Sequence, residues 1–250
     1  MDVAIRGDRA SCLTLQLGAQ TWLFAVARGF GTIDGTAAAP STLGRIRNEF
    51  ERRLKSERFR RALDRPQAAA TAMLGVLSRV NTDLFSRSAG HDDYVTAGCS
   101  LSATLFVRGR AYVVHSGGTA AYLAHGGELR PLTRDDTLDS GAVHVLARAL
   151  GTTNSLDVSV SSIGIEPGDV IVLMAHRVAG DLDRRALISH VEAAGPGEQV
   201  LVIRFDDGDR AKDDAVFVDL RPRKASLWIR AALGAGASIL AFLLSVAWAQ

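Results

Sequence analysis

Cysteine is scarce in this 250-residue chain, since Cys12 and Cys99 are its only two. Two cysteines are too few for the disulfide framework of a small secreted domain, so both are expected to be buried residues in a reducing compartment. An excess of one charge sign is also lacking: the formal net charge is +2, which argues against a nucleic-acid partner. Residues 1–17 contain no apolar stretch of the kind that a signal peptide requires, so none is expected. With 47% apolar and 22% charged residues, the composition is that of a globular protein.

A single long apolar run stands at the C-terminal end. From Ala231 it reads AALGAGASILAFLLSVAWA, which is 19 residues without a charge and close to the ~20 that a helix needs to cross a bilayer. The run has no polar face, which argues against a buried helix of a soluble domain. Trp228 and Trp248 lie near its two ends, where indole rings favour the membrane interface. We therefore predict a transmembrane helix over 231–249.

The residues before this run set its expected orientation. Four basic residues precede it, namely Arg221, Arg223, Lys224 and Arg230. Because cytoplasmic flanks are enriched in Lys and Arg, we expect a basic juxtamembrane linker over 221–230 and a cytoplasmic domain over 1–220. The membrane is thus the expected partner of the C-terminal helix. Gly234 and Ser238 have the spacing of small residues that pack helix against helix, which allows a homodimer through this segment.

Strand-like and glycine-rich segments open the domain. Residues 12–17 and 21–27 are predicted to form two strands around a turn, and the second strand is almost continuously apolar. Three glycines that follow, Gly29, Gly31 and Gly35, predict a loop.

The next segments have the apolar spacing of helices, and strands are predicted after them. Ser41 is the expected N-cap of a first helix, and Pro66 is expected to begin a second helix that ends near residue 86. From residue 97 onward the period is two, which predicts an antiparallel meander, and a short helix is expected at 184–194. This order of elements predicts an α+β fold in which helices cover antiparallel sheets.

The polar face of the first helical region is rich in cations, which include Arg45, Arg47, Arg52, Arg53, Lys55, Arg58, Arg60 and Arg61. A solvated face is the default interpretation of such a charge run. Contact with anionic lipid headgroups is the alternative, because a membrane anchor is predicted for the same chain.

The segments LFAVARGFG, RALGTTNSLDVSV and IEPGDVIVLMAHRVAGDL, in this order along the chain, together resemble blocks of the metal-dependent protein phosphatases of type 2C, the PPM family. The meander AGCSLSATLFVRGRAYVVHSGGTAAYL is similar to the family block in which Gly-Thr-Thr-Leu precedes Gly-Asp-Ser-Arg-x-Tyr-Leu. LFAVARGFG resembles the family's LFAVADGMGG, and IEPGDVIVLMAHRVAGDL resembles LxPGDxLLLCSDGLTDxL. RALGTTNSLDVSV and RAKDDAVFVDL match two further blocks in the same order. The resemblance covers residues 3–220 and implies a four-layer α-β-β-α sandwich of two antiparallel sheets flanked by helices.

The family hydrolyses phosphoserine and phosphothreonine with two Mg²⁺ or Mn²⁺ ions, which are held chiefly by aspartates. At the matching positions this chain has Ser11, Arg28, Gly118 and His176 in place of aspartate. Gly29 keeps the glycine whose carbonyl binds metal in the family, and Asp213 is the one surviving ligand side chain. Arg6 matches the family's phosphate-contacting arginine. Asp136 stands where the family has histidine.

These replacements imply a pseudophosphatase, because one carboxylate cannot hold two divalent ions and Arg28 adds a positive charge where they would lie. No bound cofactor is therefore expected. The altered pocket either binds the phosphate of a phosphoprotein or kinase partner through Arg6 and Arg28, or Arg28 pairs with Asp213 as a fixed salt bridge. Two other interpretations stay open. One is a weakly active, Mg- or Mn-dependent Ser/Thr phosphatase that uses Asp8, Asp213 and Asp214. The other is a structural membrane-associated protein.

Overall fold

The computed structural model describes residues 10–31, 35–88, 97–126, 128–139, 144–175, 187, 200–205, 216–219, 222–223 and 226–227. Three helices lie between the second and third strands of the chain, and these are α1 (Gly35–Leu54), α2 (Glu57–Leu63) and α3 (Pro66–Ser88). The strands are β1 (Ala10–Gly18), β2 (Thr21–Gly31), β3 (Ala97–Val107), β4 (Arg110–Ser116), β5 (Ala120–His125), β6 (Glu128–Pro131), β7 (Thr137–Asp139), β8 (His144–Leu146), β9 (Ser159–Gly164), β10 (Val170–Met174), β11 (Val200–Arg204), β12 (Val216–Asp219), β13 (Pro222–Arg223) and β14 (Ser226–Leu227).

Two five-stranded antiparallel sheets organise the domain. The first sheet has the order β1-β2-β3-β4-β9, and the second has the order β12-β11-β10-β5-β6. The hairpins β7-β8 and β13-β14 each form a separate pair. The meander expected from residue 97 onward is only partly present. The hairpins β3-β4 and β5-β6 are antiparallel, but β4 and β5 belong to different sheets, so the chain crosses from the first sheet to the second between them.

Alternation along β2 explains how the first sheet is covered on both faces. Leu23, Ala25 and Ala27 belong to a helix-side core shared with α1 and α3. Phe24 and Val26 point the opposite way, into an inter-sheet core shared with β5, β10 and β11. Successive side chains of a strand lie on opposite faces, so a continuously apolar strand such as β2 can serve two cores.

The layers therefore run from helices to first sheet to second sheet. This agrees with the expected α+β fold of antiparallel sheets covered by helices. Of the short helix expected at 184–194, only Leu187 is described, and it is helical and buried. A second helical layer, which the four-layer sandwich requires, stays a prediction.

Two local predictions differ from the structure. Gly29 and Gly31 were expected in a loop, but both belong to β2, where they pair with Cys99 and Ala97 of β3. Ser41 was expected to cap a helix, but α1 begins at Gly35 and includes Pro40. Pro40 is the sixth residue of α1, so its missing N–H and its ring disturb only the first turn, and the helix continues through it. Pro66 does begin α3, as predicted.

Among the described residues, no helix is long and apolar enough to cross a membrane. The predicted transmembrane segment over 231–249 and most of the linker over 221–230 lie outside them.

Candidate functional site

Two of the predicted site positions, Arg28 and Gly118, are brought together by Ser100 near the start of β3. Arg28 near the end of β2 lies directly opposite Ser100 of β3. The hydroxyl of Ser100 accepts the backbone N–H of Gly118 at 3.1 Å. Arg28 and Gly118, which are 90 positions apart in sequence, are thus linked through one serine. Gly29 is buried next to them and pairs with Cys99.

Arg28 lies on the inter-sheet face of β2. It follows Phe24 and Val26 at the two-residue period of the strand, and both of these belong to the inter-sheet core. Because the period of a strand is two, Arg28 is directed to the same side. A half-buried guanidinium therefore stands at the end of the space between the sheets.

Ser11 is not brought to this side. It pairs with Ala27, and the residues that follow it on alternate positions, Leu13 and Leu17, belong to the helix-side core. Ser11 therefore lies on the opposite face of the first sheet from Arg28. The signal was present in the sequence, since Leu13, Leu15 and Leu17 continue the alternation that starts at Ser11. On β1, Cys12 packs against the inter-sheet core and shares a face with Arg28.

The turn before β5 contains two glycines, of which Gly117 has no room for a side chain and Gly118 has room for one. Gly117 has φ +96°, and a Cβ built there would lie 2.3 Å from the hydroxyl of Ser100, so only glycine fits. A Cβ at Gly118 would make ordinary contacts of 3.4 Å with Leu146 and 3.7 Å with Thr137. Gly118 is thus not required by the backbone. Its surroundings are a leucine methyl and a threonine methyl, which are not metal ligands.

An ion-pair network that sequence reasoning missed braces this turn. Asp136 Oδ2 accepts the backbone N–H of Gly117 at 2.9 Å. The same carboxylate receives Arg148 through two contacts, Nε–Oδ2 at 2.7 Å and Nη2–Oδ1 at 2.8 Å. Arg148 Nη1 also contacts Asp157 Oδ1 at 3.2 Å, and these carboxylates raise the pKa of Arg148, the hydrogen bond to Asp136 first. The only signal in the sequence was Asp136 itself, at a position where the resemblance calls for histidine.

Ser102, His115 and Asp136 form a chain of side-chain contacts next to this turn. Ser102 Oγ is 3.0 Å from His115 Nδ1, and His115 Nε2 is 3.4 Å from Asp136 Oδ2. Ser102 also contacts the hydroxyl of Thr119 at 2.8 Å. Ser102 has no exposed surface and His115 is 1% exposed, so no substrate reaches the hydroxyl. The cluster joins β3, β4 and Thr119, the residue directly before β5, and does not act as a nucleophilic site.

The described site residues do not fit a pair of divalent ions. Arg28 and Gly118 offer no carboxylate oxygen, and Ser11 faces the wrong side. Within the described part of the chain, no group of three or more His, Cys, Asp or Glu side chains is placed to hold a metal. Mg²⁺ and Mn²⁺ need several oxygen ligands, so a metal pair would depend on residues elsewhere.

The remaining predicted site residues lie outside the described part of the chain. These are Arg6, Asp8, His176, Asp213 and Asp214. The proposed contact between Arg28 and Asp213 and the survival of a ligand at Asp213 therefore stay predictions.

No protein-family model matches the chain, and no curated protein matches its sequence. Solved structures do match in three dimensions. The PPM Ser-Thr phosphatase MsPP from Mycobacterium smegmatis superposes with a TM-score of 0.57 and 21% identity, over 81% of this chain and 94% of that one. The serine/threonine phosphatase of S. agalactiae gives a TM-score of 0.59 and 17% identity, over 82% and 96%. PppA, a regulatory component of T6SS in Pseudomonas aeruginosa, gives 0.51 and 23%, over 65% and 68%.

At these identities the likeness concerns the fold. The matches extend over almost the whole length of two of the three phosphatases, so the sheets correspond as a unit and not as isolated hairpins. The two stacked antiparallel sheets and the helices packed on the first of them give this chain the fold of the PPM-type serine/threonine phosphatases.

Proposed function

We propose that this chain is a divergent member of the PPM phosphatase family that has lost hydrolysis and serves as a membrane-anchored pseudophosphatase and phosphoprotein-binding module. One observation carries the proposal. Arg28 stands on the inter-sheet face of β2 and is linked through Ser100 to Gly118. The resemblance aligns both residues with metal-binding aspartates of the family, and aligns Arg28 with the one that bridges the two ions.

Electrostatics argue against a metal pair beside Arg28. A guanidinium about 4 Å from a single positive charge is repelled by about 4 kcal/mol at an effective dielectric of about 20, and a divalent ion doubles the charge. The same guanidinium favours a phosphate group, to which it can donate two parallel hydrogen bonds. Loss of metal binding and gain of phosphate binding would thus follow from one substitution, with Arg6 as a second phosphate contact.

The absence of metal chemistry is tested by titrating the full chain with Mn²⁺ in a calorimeter and by assaying hydrolysis of p-nitrophenyl phosphate. We expect no binding at micromolar Mn²⁺ and no metal-dependent turnover. Micromolar affinity together with turnover would refute the proposal.

Phosphate recognition is tested separately, with phosphoserine peptides and their unphosphorylated counterparts. We expect the phosphorylated peptides alone to bind, and Arg28→Gln to weaken that binding about tenfold or more. Arg134→Gln, at an exposed position, is the control and should leave it unchanged. If Arg28 instead pairs with Asp213 as a fixed salt bridge, neither peptide form binds.

A weakly active metal-dependent Ser/Thr phosphatase is the second candidate. It is favoured by Asp213, which the resemblance aligns with a family ligand, and by Asp214 and Asp8 near the same blocks. In that case Mg²⁺ or Mn²⁺ would be required for turnover, and Asp213→Asn would abolish it. The calorimetric and hydrolysis measurements above decide between the two candidates.

The membrane anchor is part of the same proposal and is supported by the apolar run over 231–249 and the basic residues before it. The full chain is expected in the membrane fraction after alkaline carbonate washing, and a chain ending at residue 220 in the supernatant. Recovery of the full chain in the supernatant would contradict an anchor. Protease protection in sealed vesicles tests the cytoplasmic orientation.

A further inference from the structure

A groove of about 610 Å³ lies between α2 and α3, away from the candidate site. Three arginines, one glutamate and two alanines line it. The lining residues are Glu57, Arg58, Arg61, Ala62, Arg65 and Ala68. We refer to these six residues as the α2–α3 groove.

The groove belongs to a strongly basic stretch of an otherwise slightly acidic chain. Residues 45–65 contain nine Arg or Lys and four Asp or Glu, a net charge of +5. The whole chain is only +2, so the rest of it is net negative. Such an asymmetry concentrates positive potential on one surface.

Local carboxylates neutralise only part of this charge. Glu49 receives both Arg52 and Arg53, and Glu57 pairs with Arg61. Lys55, Arg58 and Arg65 are exposed and form no ion pair with any residue that the structure describes. Two of these three line the groove, Arg58 from α2 and Arg65 from the position directly before α3. The groove is therefore left with unneutralised positive charge.

The topology places the groove at one end of the sandwich. The carbonyl of Leu63 at the end of α2 accepts the hydroxyl of Thr21, which opens β2. Arg28 lies near the other end of β2, so the groove and the candidate site are at opposite ends of that strand. A ligand of the groove is therefore separate from a ligand of the site.

The same topology separates the groove from the C-terminal tail. Strand β12 ends at Asp219, which pairs with Leu201, and Leu201 lies level with Ala121 just after the Gly118 turn. The chain therefore leaves the second sheet at the candidate-site end. A bilayer that receives the tail would meet that end first, and the groove would face away from it.

We propose that the α2–α3 groove docks an acidic segment of a partner protein. Guanidinium groups bind carboxylates through paired hydrogen bonds, which suits the spacing of several arginines along one short helix. Glu57 within the groove and the weak overall charge disfavour a nucleic-acid backbone, which requires an uninterrupted basic surface. The small residues Ala62 and Ala68 leave room for a backbone to lie between the arginines.

The proposal is tested with the full chain in phosphatidylcholine nanodiscs, by fluorescence anisotropy of a short peptide in which Glu alternates with Ala. The control peptide has Gln in place of every Glu. We expect the Glu peptide to bind, the Gln peptide not to bind, and the affinity to fall as salt is raised. The double variant Arg58→Glu/Arg65→Glu should weaken binding on the order of tenfold or more.

A matched double variant controls for net charge. Arg130 and Arg134 are also exposed, and Arg130→Glu/Arg134→Glu changes the chain by the same number of charges. Its affinity for the Glu peptide should stay within about twofold of the parent chain. Failure of the Glu peptide to bind, or equal weakening by both double variants, would overturn the proposal.

The last part of the experiment varies the lipid composition of the nanodiscs. When part of the phosphatidylcholine is replaced by phosphatidylglycerol, the affinity for the Glu peptide should not change by more than about twofold. If the anionic lipid abolishes peptide binding in the parent chain, the groove contacts the bilayer itself and the acidic-segment proposal is wrong. Because the phosphopeptide measurements concern Arg28 at the opposite end, either proposal can fail alone.

Discussion

Arg148 and Asp136 form a bidentate ion pair, with Nε–Oδ2 at 2.7 Å and Nη2–Oδ1 at 2.8 Å. The Asp136 side chain is 9% exposed, and it also accepts the backbone N–H of Gly117. The pair thus fixes the turn that leads from β4 into β5 beside the candidate site. An interaction of this kind holds the backbone of the site in place without taking part in any reaction.

Arg148→Ala should destabilise the fold, because it leaves the Asp136 carboxylate largely buried and without its cation. We expect a loss of about 2–4 kcal/mol in the free energy of unfolding. Arg79 is a control, since its pair with Asp83 is exposed at 61% and 37% of the two side chains. Arg79→Ala should cost less than about 1 kcal/mol. Urea unfolding followed by circular dichroism measures the free energy of unfolding of both variants. Equal losses would show that the buried pair stabilises the fold no more than the exposed pair does.

Neighbouring glycines should respond very differently to alanine. Gly117→Ala forces a positive φ on a side chain and drives a Cβ into Ser100, so a loss of about 2–4 kcal/mol is expected. Gly118→Ala meets only ordinary contacts and should change stability by less than about 1 kcal/mol. Thermal melts of the two variants provide the comparison. A Gly117→Ala protein as stable as Gly118→Ala would contradict the turn geometry.

Acid stability should depend on Glu49. Hydrogen bonds from Arg52 and Arg53, the former first, lower the pKa of Glu49 to about 2, against the opposing effect of burial. Its contribution is therefore present above the ordinary pKa of 4.5 and is lost as the pH falls toward about 2. Glu49→Gln should remove about 1–2 kcal/mol at neutral pH and flatten the loss of stability in this window.

A series of urea titrations between neutral pH and pH 3 measures this effect. Glu51→Gln, at an exposed position on the same helix, is the control and should keep the acid slope of the parent chain. An unchanged slope in Glu49→Gln would refute the assignment.

Cys99 should be inert in the folded protein. Burial raises the pKa of its thiol to about 12, and reactive thiols need the thiolate form. In the native chain iodoacetamide should label Cys12, which is partly exposed, and should label Cys99 only after unfolding in guanidinium. Mass spectrometry of the labelled peptides tests this, and rapid native labelling of Cys99 would be inconsistent with its burial.

The raised pKa of the Cys99 thiol also has a consequence for stability at high pH. Because the thiol keeps its proton more tightly in the folded state, its contribution is complete below the ordinary pKa of 9.0 and is lost as the pH rises toward about 12. Cys99→Ala should therefore lower the dependence of stability on pH above pH 9.0. The same dependence in both proteins would assign the effect to another group.

Much of the fold could be predicted from the sequence, because the spacing of apolar residues along a segment shows which of its faces is buried. The alternation of Leu13, Leu15 and Leu17 and the continuous apolar run of β2 reflect which faces the strands bury. Pro66 marked the start of α3 for a similar reason, since its ring suits the first helical turn. The resemblance blocks added the expectation of two stacked antiparallel sheets, which agrees with the observed sheets and with the structural matches.

The start of α1 and the glycines of β2 were predicted wrongly because the competing influence was tertiary. Gly29 and Gly31 have the composition of a loop, yet β3 offers a complete ladder of hydrogen-bond partners beside them. Ala38 and Ala39 lie upstream of Ser41 and are buried, and their burial favours a helix that begins before Ser41. Propensity alone does not include either contribution.

By itself the sequence determined the two-faced strands and the long helices, since both follow from residue type and spacing. The resemblance added the expectation that Arg28 and Gly118 stand where the family has metal-binding aspartates. Only the tertiary structure decided which of the altered positions meet. It joined Arg28 to Gly118 through Ser100 and placed Ser11 on the other face. It also brought Arg148 onto Asp136 beside the turn. Strand register and the contacts between distant segments fix these relations, and no local pattern in the chain encodes them.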